Sequence, residues 1–389
     1  MPGLVVKPRA RIFHGHEWVY ASDVQKTFGD PEPGGLVSLK DFKDRPLGTA
    51  IYNPASQIVA RRFSRRKEQL DGEFFRRRIE RAESLRREMD FPEAVYRLVW
   101  SEADGLPGVV IDRYRDCFVV QTLTLAMDLR KGLIVEALAE IFNPSAVIER
   151  NDSPMRKAEG LEPATGVLAG TNPGPLEIDT GGVIQTVDLL EGQKTGIYLD
   201  QLDSYETVAA RAGGRRVLDC FCNQGGFALH CARAGAESVV AVDISESAVG
   251  ATARNAQRND VAIDARTANV FDFLKAEEER GARYDLIVLD PPSFARNRKS
   301  VTNALRGYKE IHVRSLRILE KEGILATFCC SHHVSGREFF DTICDASVDA
   351  KRTLRVAGRH YQRRDHPVLA TLPESQYLTG FTFEVVAGF

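Results

Sequence analysis

The stretch RRVLDCFCNQGGFALHCARAG, residues 215–235, has the pattern of a buried strand, a glycine-containing loop and a helix. The apolar segment VLDCF predicts the strand, and Gly225 and Gly226 would let the backbone approach a ligand closely before the helix begins. The next predicted strand, ESVVAVDIS, reaches Asp243, which lies 24 residues after Asp219. This interval is typical of a βαβ unit in which a carboxylate at the tip of the second strand binds a ribose.

The glycine loop lacks the GxGxxG pattern that a pyrophosphate favours, so we expect a ligand without phosphate. Asp219 at the start of the loop could pair with an ammonium group, and both features favour S-adenosylmethionine over a dinucleotide. The glycines could also form only a tight turn, and Asp243 could cap a helix. The candidate cofactor-binding residues in these segments are Asp219, Phe221, Cys222, Asn223, Gly225, Gly226, Asp243, Ile244 and Ser245.

A third predicted strand is followed by Asn269 and Val270 in the segment ANVFDFL. The Asn269 side chain can both donate to and accept from the edge of an adenine, so both residues are further candidates for cofactor binding. The alternative is that Asn269 caps the helix that follows it.

The composition is that of an ordinary soluble globular protein, with 43% hydrophobic and 27% charged residues among 389. With a formal net charge of -2, any nucleic-acid-binding surface must be local. No apolar run has transmembrane length, and the N-terminus lacks the apolar core of a signal peptide. Seven scattered cysteines without a CxxC pair argue against a disulfide framework and a zinc site. We therefore expect a cytoplasmic protein that binds no metal and no membrane.

Three kinds of pattern follow one another along the chain. The first ~65 residues alternate short apolar runs with turn formers, as in a small β-barrel. An amphipathic helix is predicted from Glu73 to Met89, with Phe75, Ile79, Ala82, Leu85 and Met89 on its apolar face. A mixture of strands and helices follows, and strands alternate with helices after residue 187. The predicted class is α/β, with domains at 1–68, 69–186 and 187–389.

A second candidate centre lies where the strand RYDLIVL runs into Asp290, Pro291 and Pro292. The prolines stiffen this turn, which would stand at the carboxyl edge of the sheet, where ligands bind, and would hold Asp290 against a flat base. We therefore regard Asp290 as a catalytic and cofactor-site candidate and both prolines as substrate-binding candidates.

The strand GILATFCC is predicted to return beside this turn and ends in Cys329 and Cys330. Alternation along a strand sends the two side chains to opposite faces, so at most one of them faces a substrate. A thiolate that adds to C6 of a pyrimidine makes C5 nucleophilic enough to take a methyl group. His332 and His333 are candidate cations for stabilising such a thiolate, although any single cysteine can also be a small buried hydrophobe.

Motifs along essentially the whole chain resemble one known family. They include GHEWVY, SEADGLPGVVIDRY, GQKTGIYLDQ, LIVLDPPSF, RGYKEIH, TFCCSHH and DHPVLATLPESQYLTGF. Together they resemble the class I S-adenosylmethionine-dependent (cytosine-5) methyltransferases of large-subunit (23S) ribosomal RNA. The resemblance implies an N-terminal PUA domain that binds RNA, a central α+β domain and a C-terminal Rossmann-like methyltransferase domain. It implies ribosomal RNA as the partner and leaves room for a homodimer.

The resemblance also implies roles for particular residues. The family's nucleophile falls on Cys330, and Asp290 takes the role of binding and polarising the base. In GQKTGIYLDQ, Lys194 becomes a substrate-binding candidate and Tyr198 a cofactor-binding candidate.

The chain departs from the family pattern at several positions. Leu202 and Tyr205 stand where arginines are usual, and His312 stands where an asparagine is expected. Ser293 occupies the place of a second cysteine found in the wider group, so product release cannot use a cysteine there.

A local excess of positive charge lies between Arg61 and Asp90, with eleven Lys or Arg residues against seven Asp or Glu. Arg76 and Arg77 in this segment are candidates for contacts with RNA phosphates. The alternative is a solvated helix with intrahelical ion pairs. Trp18 is predicted to lie in the core of the barrel.

The leading hypothesis is methyl transfer to C5 of a cytosine in ribosomal RNA through a covalent adduct between Cys330 and C6. A guanine N-methyltransferase on the same scaffold is an alternative that the Asp-Pro-Pro turn permits. A third hypothesis is an RNA assembly factor that binds S-adenosylmethionine without turnover.

Overall fold

The computed structural model describes residues 1–91, 94–192, 195–295 and 297–386. The chain forms two compact units, and each unit is built from more than one stretch of sequence. The first comprises Met1–Ile178, Thr186–Leu199 and Arg364–Gln376, and the second comprises Asp179–Gln185, Asp200–Arg363 and Tyr377–Phe389. The three predicted domains and their boundaries stay a prediction.

The first unit begins with a six-stranded sheet in the order β2-β6-β5-β4-β1-β3. Its strands come from short apolar runs between turns, and in β4 the alternating residues Val37 and Leu39 are fully buried. The strands are β1 (Gly3–Val6), β2 (Trp18–Val19), β3 (Val24–Phe28), β4 (Leu36–Lys40), β5 (Pro46–Tyr52) and β6 (Ala60–Ser64).

A five-stranded sheet in the order β11-β10-β9-β8-β7 completes the first unit, together with helices. The strands are β7 (Val95–Trp100), β8 (Val109–Tyr114), β9 (Cys117–Thr122), β10 (Ala146–Asn151) and β11 (Ala164–Gly170). The helices are α1 (Gly72–Arg87), α2 (Leu125–Asp128) and α3 (Lys131–Phe142). Asp71 caps α1 by accepting from Phe74 N at 2.9 Å.

The apolar face of α1 differs from the prediction at its C-terminal end. Phe75, Ile79 and Ala82 are buried as predicted, but Leu85 is 37% exposed and Arg86 is buried instead. Met89 lies beyond the last residue of the helix. The buried guanidinium has ion-pair and backbone partners, which a pattern of apolar residues does not reveal.

Arg86 joins four segments of the first unit. Its guanidinium donates to both Asp104 carboxylate oxygens, at 2.6 and 2.8 Å, so the pair is bidentate. It also donates to the carbonyl oxygens of Arg97, at 2.9 Å, and Asp365, at 2.8 Å. Arg86 therefore fixes α1, β7, the turn after β7 and the returning C-terminal segment together.

Trp18 is half-buried, so the prediction that it lies in the barrel core is wrong. Its indole N–H donates to Glu102 Oε1 at 2.6 Å, and the Arg61 guanidinium lies 4.9 Å from the ring centre. An indole N–H needs an acceptor when it leaves water, and Glu102 of the SEADGLPG motif provides one.

The second unit contains a seven-stranded sheet in the order β16-β15-β14-β17-β18-β20-β19. The first five strands in this order are parallel, and β20 runs antiparallel to both its neighbours. The strands are β14 (Arg216–Cys220), β15 (Ser238–Asp243), β16 (Asp264–Thr267), β17 (Tyr284–Leu289), β18 (Leu319–Cys329), β19 (Leu354–Tyr361) and β20 (Thr379–Val385). β12 (Leu176–Asp179) and β13 (Ile184–Val187) form a separate two-stranded sheet. This arrangement confirms the predicted α/β class.

Helices connect the strands of the second unit, as in a doubly wound fold. They are α4 (Leu202–Ala209), α5 (Gly226–Arg233), α6 (Glu246–Arg258), α7 (Val270–Glu279), α8 (Val301–Ile318) and α9 (Gly336–Asp349). His312 on α8 is fully buried, and its Nδ1 donates to Tyr308 O at 2.6 Å while its Nε2 accepts from Thr327 Oγ1 at 2.8 Å. Burial lowers the pKa of His312 to about 4, so the neutral ring joins α8 to β18.

We predict that Arg86→Met lowers the free energy of unfolding of the first unit by ~3–5 kcal/mol, because Asp104 is left buried without its cation. Both tryptophans of the chain, Trp18 and Trp100, lie in the first unit, so their fluorescence during urea denaturation reports on that unit. Arg81→Met is the matched control, because Arg81 is exposed on the same helix. An equal effect of the two substitutions would contradict the role given to Arg86.

Candidate active site

Four predicted site residues lie at one edge of the seven-stranded sheet. Asp219 and Asp243 lie near the carboxyl ends of β14 and β15, and Asp290 and Cys330 directly follow β17 and β18. Because these strands are parallel, their carboxyl ends meet at the same edge, which is where open α/β sheets bind ligands.

The loop between β14 and α5 has a strained backbone. Phe221 and Asn223 have positive φ angles of 63° and 47°, and Gly225 has a φ of 85°. The left-handed conformation costs about 1–3 kcal/mol for a bulky residue such as phenylalanine, so it persists only where the surroundings hold it. Cys222 N donates to Val242 O at 3.0 Å, and Asn223 N donates to Asp243 Oδ2 at 3.0 Å. The loop is thus held in the shape of a ligand-binding turn.

Gly226 is required because a tyrosine ring lies against it. A Cβ atom at Gly226 would stand 2.4 Å from the ring of Tyr205. The Tyr205 ring is buried and packs on Phe227 and His230, with ring centres 4.6 and 5.2 Å away. Tyr205, one of the departures from the family pattern, therefore supports the start of α5.

Asp243 holds the backbone on both sides of it. Its Oδ1 accepts from Ser245 N at 2.9 Å, while its Oδ2 accepts from Asn223 in the glycine loop. Ser245 caps α6 by accepting from Ala248 N at 3.3 Å, and Ile244 between them is 70% exposed. An exposed apolar side chain beside a strand-tip carboxylate suits a ligand with a flat base and a ribose.

Asp219 is fully buried, and only one of its two carboxylate oxygens has a hydrogen-bond partner among the described residues. Its Oδ2 accepts from Ala228 N at 3.0 Å, whereas Oδ1 has no partner among the described residues. Burial raises the pKa of Asp219 well above its usual range, and the negative charges of Asp290 and Asp243 add to this effect. A buried acceptor among three carboxylates fits a cofactor that carries positive charge, such as S-adenosylmethionine.

The side chains of the two cofactor-binding candidates after β16, Asn269 and Val270, are engaged in the structure of the protein itself. Asn269 caps α7 by accepting from Phe271 N at 2.9 Å, as the alternative interpretation foresaw, and its side chain is exposed. The Val270 side chain is buried in the core of the second unit. Cys222 is also buried, and burial raises the pKa of its thiol, which disfavours the reactive thiolate.

The two adjacent cysteines face different surroundings, as strand alternation predicts. Cys329 is buried, and its Sγ donates to Tyr308 Oη at 3.4 Å. Ser331 Oγ lies 3.1 Å from the same hydroxyl, so both neighbours of Cys330 are tied to Tyr308. Cys330 is half-buried, and its Sγ donates to Pro291 O at 3.8 Å. Cys330 thus points to the double-proline turn.

Asp290 is half-buried at the start of that turn, where Pro291 is buried and Pro292 is exposed. Its backbone N–H donates to Cys220 O at 3.4 Å, and its Oδ2 accepts from Gln201 Nε2 at 3.1 Å. Sequence reasoning missed Gln201 as a site residue, although it belongs to the quoted GQKTGIYLDQ motif. It also missed Tyr308, which belongs to RGYKEIH.

That His332 or His333 supplies a cation near the Cys330 thiolate stays a prediction. Although His332 keeps an exposed side, desolvation and the neighbouring His333 lower its pKa, which favours the neutral ring. The His332 ring lies 5.9 Å from the ring of Tyr377.

Of the candidates for phosphate contacts on α1, Arg77 is exposed and Arg76 is partly exposed, and both form ion pairs. Arg76 pairs with Glu80 at 2.9 Å, as intrahelical pairing predicts, and Arg77 pairs with Glu68. Such exposed pairs contribute little to stability, so they can open for another anion.

Two further site candidates, Tyr198 and Lys194, come from the GQKTGIYLDQ motif. Tyr198 belongs to the first unit. Lys194 lies outside the described residues. Within the residues that the structure covers, no cluster of three or more His, Cys, Asp or Glu side chains could hold a metal ion. None of the described helices is long and apolar enough to span a membrane.

Two family models match the chain. Residues 5–65 match a PUA-like domain, and residues 159–354 match an S-adenosylmethionine-dependent methyltransferase. The chain is similar to ribosomal RNA large subunit methyltransferase I of Vibrio vulnificus, with 37% identity over 98% of both chains. The enzyme of the same name from Vibrio campbellii is 38% identical over 98% of both chains.

Solved structures show the same fold. The protein SMU.776, crystallised in complex with SAH, has a TM-score of 0.86 at 23% identity and covers 99% of this chain and 100% of its own. A SAM-dependent methyltransferase from Streptococcus mutans has a TM-score of 0.86 at 22% identity, with the same coverage. The matched family confirms S-adenosylmethionine as the cofactor, and the residues of the β14–α5 loop fit it.

We predict that Gly226→Ala weakens binding of S-adenosylmethionine by roughly 5- to 150-fold, the equivalent of about 1–3 kcal/mol of overpacking against the Tyr205 ring. Titration calorimetry measures this change. Gly250→Ala on α6 is the matched control, because its added methyl would meet only the end of the flexible Arg254 side chain, at 3.3 Å. The double variant Gly226→Ala/Tyr205→Ser should recover part of the affinity, and unchanged affinity in the single variant would refute the packing argument.

Proposed function

This chain belongs to the ribosomal RNA large subunit methyltransferase I family, and on that premise we propose that it methylates C5 of a cytosine in large-subunit ribosomal RNA. The proposal rests on one observation above all. Cys330 follows a parallel strand directly and points to the turn that begins with Asp290.

Cys330 would act as the nucleophile toward the base. Its thiolate forms a bond to C6, and the electron pair of the C5–C6 double bond moves toward C5 and the N3 edge of the ring. Bound S-adenosylmethionine supplies an electrophilic methyl group to the carbon activated in this way. After C5 has lost its proton to a base, the double bond forms again and the Cys330 sulfur leaves C6. Asp290 would bind the polar edge of the ring and stabilise the charge that develops there.

Cys329 does not compete for this role. Its side chain is buried, and desolvation raises the pKa of its thiol. It bonds to the Tyr308 hydroxyl, and Ser331 bonds to the same group from the other side of Cys330. We therefore regard Tyr308 as a positioning residue that aims Cys330 by holding both of its neighbours.

The turn after Asp290 offers a hydroxyl where the wider group has a second cysteine. Ser293 Oγ lies 2.9 Å from Ser331 Oγ, which continues the hydrogen-bonded chain from Tyr308. In this mechanism Ser293 fixes the turn against the Cys330 segment, and release of the product proceeds without a second thiol.

RNA would be bound by several parts of the chain. The proposed contacts in the first unit are the PUA-like residues 5–65 and the arginines Arg76 and Arg77 of α1. Pro291, Pro292 and Lys194 are the proposed contacts near the target base. The reaction would take place in the cytoplasm, where ribosomal RNA is assembled.

In ribosomal RNA transcribed with 5-fluorocytidine, a base cannot remove the fluorine at C5 as it removes the proton, so the covalent adduct is trapped. We predict that Cys330→Ser abolishes this attachment, because the variant lacks the thiol that bonds to C6. Denaturing gel electrophoresis detects the attached RNA. Cys329→Ser should still form the adduct, because a serine hydroxyl can keep the bond to Tyr308. Cys344→Ser, at an exposed cysteine of α9, is the control.

Nucleoside analysis of methylated RNA provides the second readout of the same variants. The wild-type chain should produce 5-methylcytidine, and mapping identifies its position in the RNA. Methylguanosine would establish the guanine alternative instead, and the absence of any methylated product would favour an assembly factor. Full methyl transfer by Cys330→Ser would exclude the covalent mechanism.

We predict that Tyr308→Phe slows formation of the 5-fluorocytidine adduct roughly 10- to 100-fold, because loss of both hydrogen bonds lets Cys330 leave its position. The dissociation constants of S-adenosylmethionine and RNA should stay unchanged, which separates misplacement of the nucleophile from loss of structure. Tyr361→Phe on the exposed face of β19 is the matched control. An unchanged rate of adduct formation in Tyr308→Phe would show that Tyr308 does not position the nucleophile.

A further inference from the structure

Only the nitrogen of the Gln201 side-chain amide has a hydrogen-bond partner among the described residues. Its nitrogen donates to Asp290 Oδ2 at 3.1 Å, while its oxygen is buried and has no hydrogen-bond partner in the part of the chain that the structure describes. The whole residue is 2% exposed. The opposite orientation of the amide would place its oxygen against the Asp290 carboxylate, so the hydrogen-bond partners fix the assignment.

A buried acceptor without a partner costs about 1–3 kcal/mol, and native proteins rarely leave one without a donor from protein, water or ligand. The amide group is planar and rigid, so its oxygen lies one amide width from the nitrogen that donates to Asp290 Oδ2. A flat ring edge that contacts Asp290 can therefore offer a donor to Gln201 Oε1 as well.

The backbone at Gln201 is held in place by its neighbour. Asp200 Oδ2 accepts from the Tyr377 hydroxyl at 2.6 Å, and Asp200 O accepts from Arg363 N at 3.0 Å. The Tyr377 ring contacts His332, two residues after Cys330. The turn that carries Gln201 is thus connected to the segment that carries the proposed nucleophile.

We propose that Gln201 is a specificity-determining residue that accepts a hydrogen bond from the N4 amine of the target cytosine while its own amide nitrogen holds Asp290. This inference rests on the function proposed above. Cytosine presents a donor at this position of the ring, whereas uracil presents the acceptor O4, which an amide oxygen beside a carboxylate would repel. Gln201 and Asp290 together would select cytosine over uracil.

The test compares two short RNA fragments that contain the mapped target, with 5-fluorocytidine or 5-fluorouridine at that one position. The measured quantity is the ratio of the two rates of adduct formation with Cys330. Gln201→Met keeps the length of the side chain and removes its amide, and we expect it to lower the ratio roughly 5- to 150-fold, as the loss of one buried hydrogen bond implies.

Two other variants complete the series. Gln201→Glu keeps an acceptor oxygen but removes the N–H donor to Asp290 Oδ2. It should therefore slow adduct formation with both fragments, while lowering the ratio less than Gln201→Met does. Gln257→Leu, at an exposed glutamine of α6, is the control for a surface substitution and should leave the ratio unchanged. Gln201→Leu replaces the methionine variant if that protein does not fold, as judged by thermal unfolding.

The possible outcomes separate the hypotheses. An unchanged ratio in Gln201→Met would overturn the inference and would imply that water alone satisfies the amide oxygen. A weaker affinity for S-adenosylmethionine, measured by calorimetry, together with an unchanged ratio would assign Gln201 to the cofactor and also overturn it. If the wild-type chain forms no adduct with 5-fluorocytidine, the proposed function itself fails, whatever the variants show.

Discussion

The parallel pairing of β17 with β18 is the constraint on which the candidate active site depends. Leu289 at the end of β17 stands opposite Thr327 in β18. This register places Asp290 and Cys330, which follow the two strands, at one edge of the sheet. A shift by one residue would exchange Cys329 and Cys330 between the two faces of β18, and the buried thiol would replace the half-buried one. Register therefore decides which sulfur faces the turn.

Much of the site could be predicted from the sequence because parallel strands end together. Asp219, Asp243, Asp290 and Cys330 each lie at the carboxyl end of an apolar run, and apolar runs of that length predict strands. The glycine loop could be predicted because Gly225 and Gly226 lie between an apolar strand and a helix that are adjacent in the sequence. No local sequence pattern predicts the residues that support these groups, because they are distant in the sequence. Gln201 and Asp290 are 89 positions apart, and Tyr308 and Cys329 are 21 positions apart.

The errors of sequence reasoning have a common physical cause. Hydrophobicity assigns Trp18 to a core, and periodicity assigns Leu85 to the buried face of α1, where Arg86 is buried instead. Trp18 and Arg86 are each held by a polar group elsewhere in the chain. Glu102 holds the indole N–H of Trp18, and Asp104 holds the guanidinium of Arg86. Both acids belong to the SEADGLPG motif, so this motif has a structural role in the first unit. The hydrogen bonds of a buried indole or guanidinium group outweigh the preference that hydrophobicity alone gives these side chains for the core or for solvent.

The position of Asp365 has a consequence for biosynthesis. The carbonyl of this residue accepts from Arg86, which lies 279 positions earlier in the chain, and residues 364–376 are part of the first unit. When the ribosome has translated only the N-terminal half of the chain, residues 364–376 of the first unit have not yet been synthesised. That unit cannot finish folding while the chain is still growing through the methyltransferase region, and N-terminal fragments that stop before Asp365 would lack this connection. Folding of the first unit therefore waits until residues 364–376 have been synthesised.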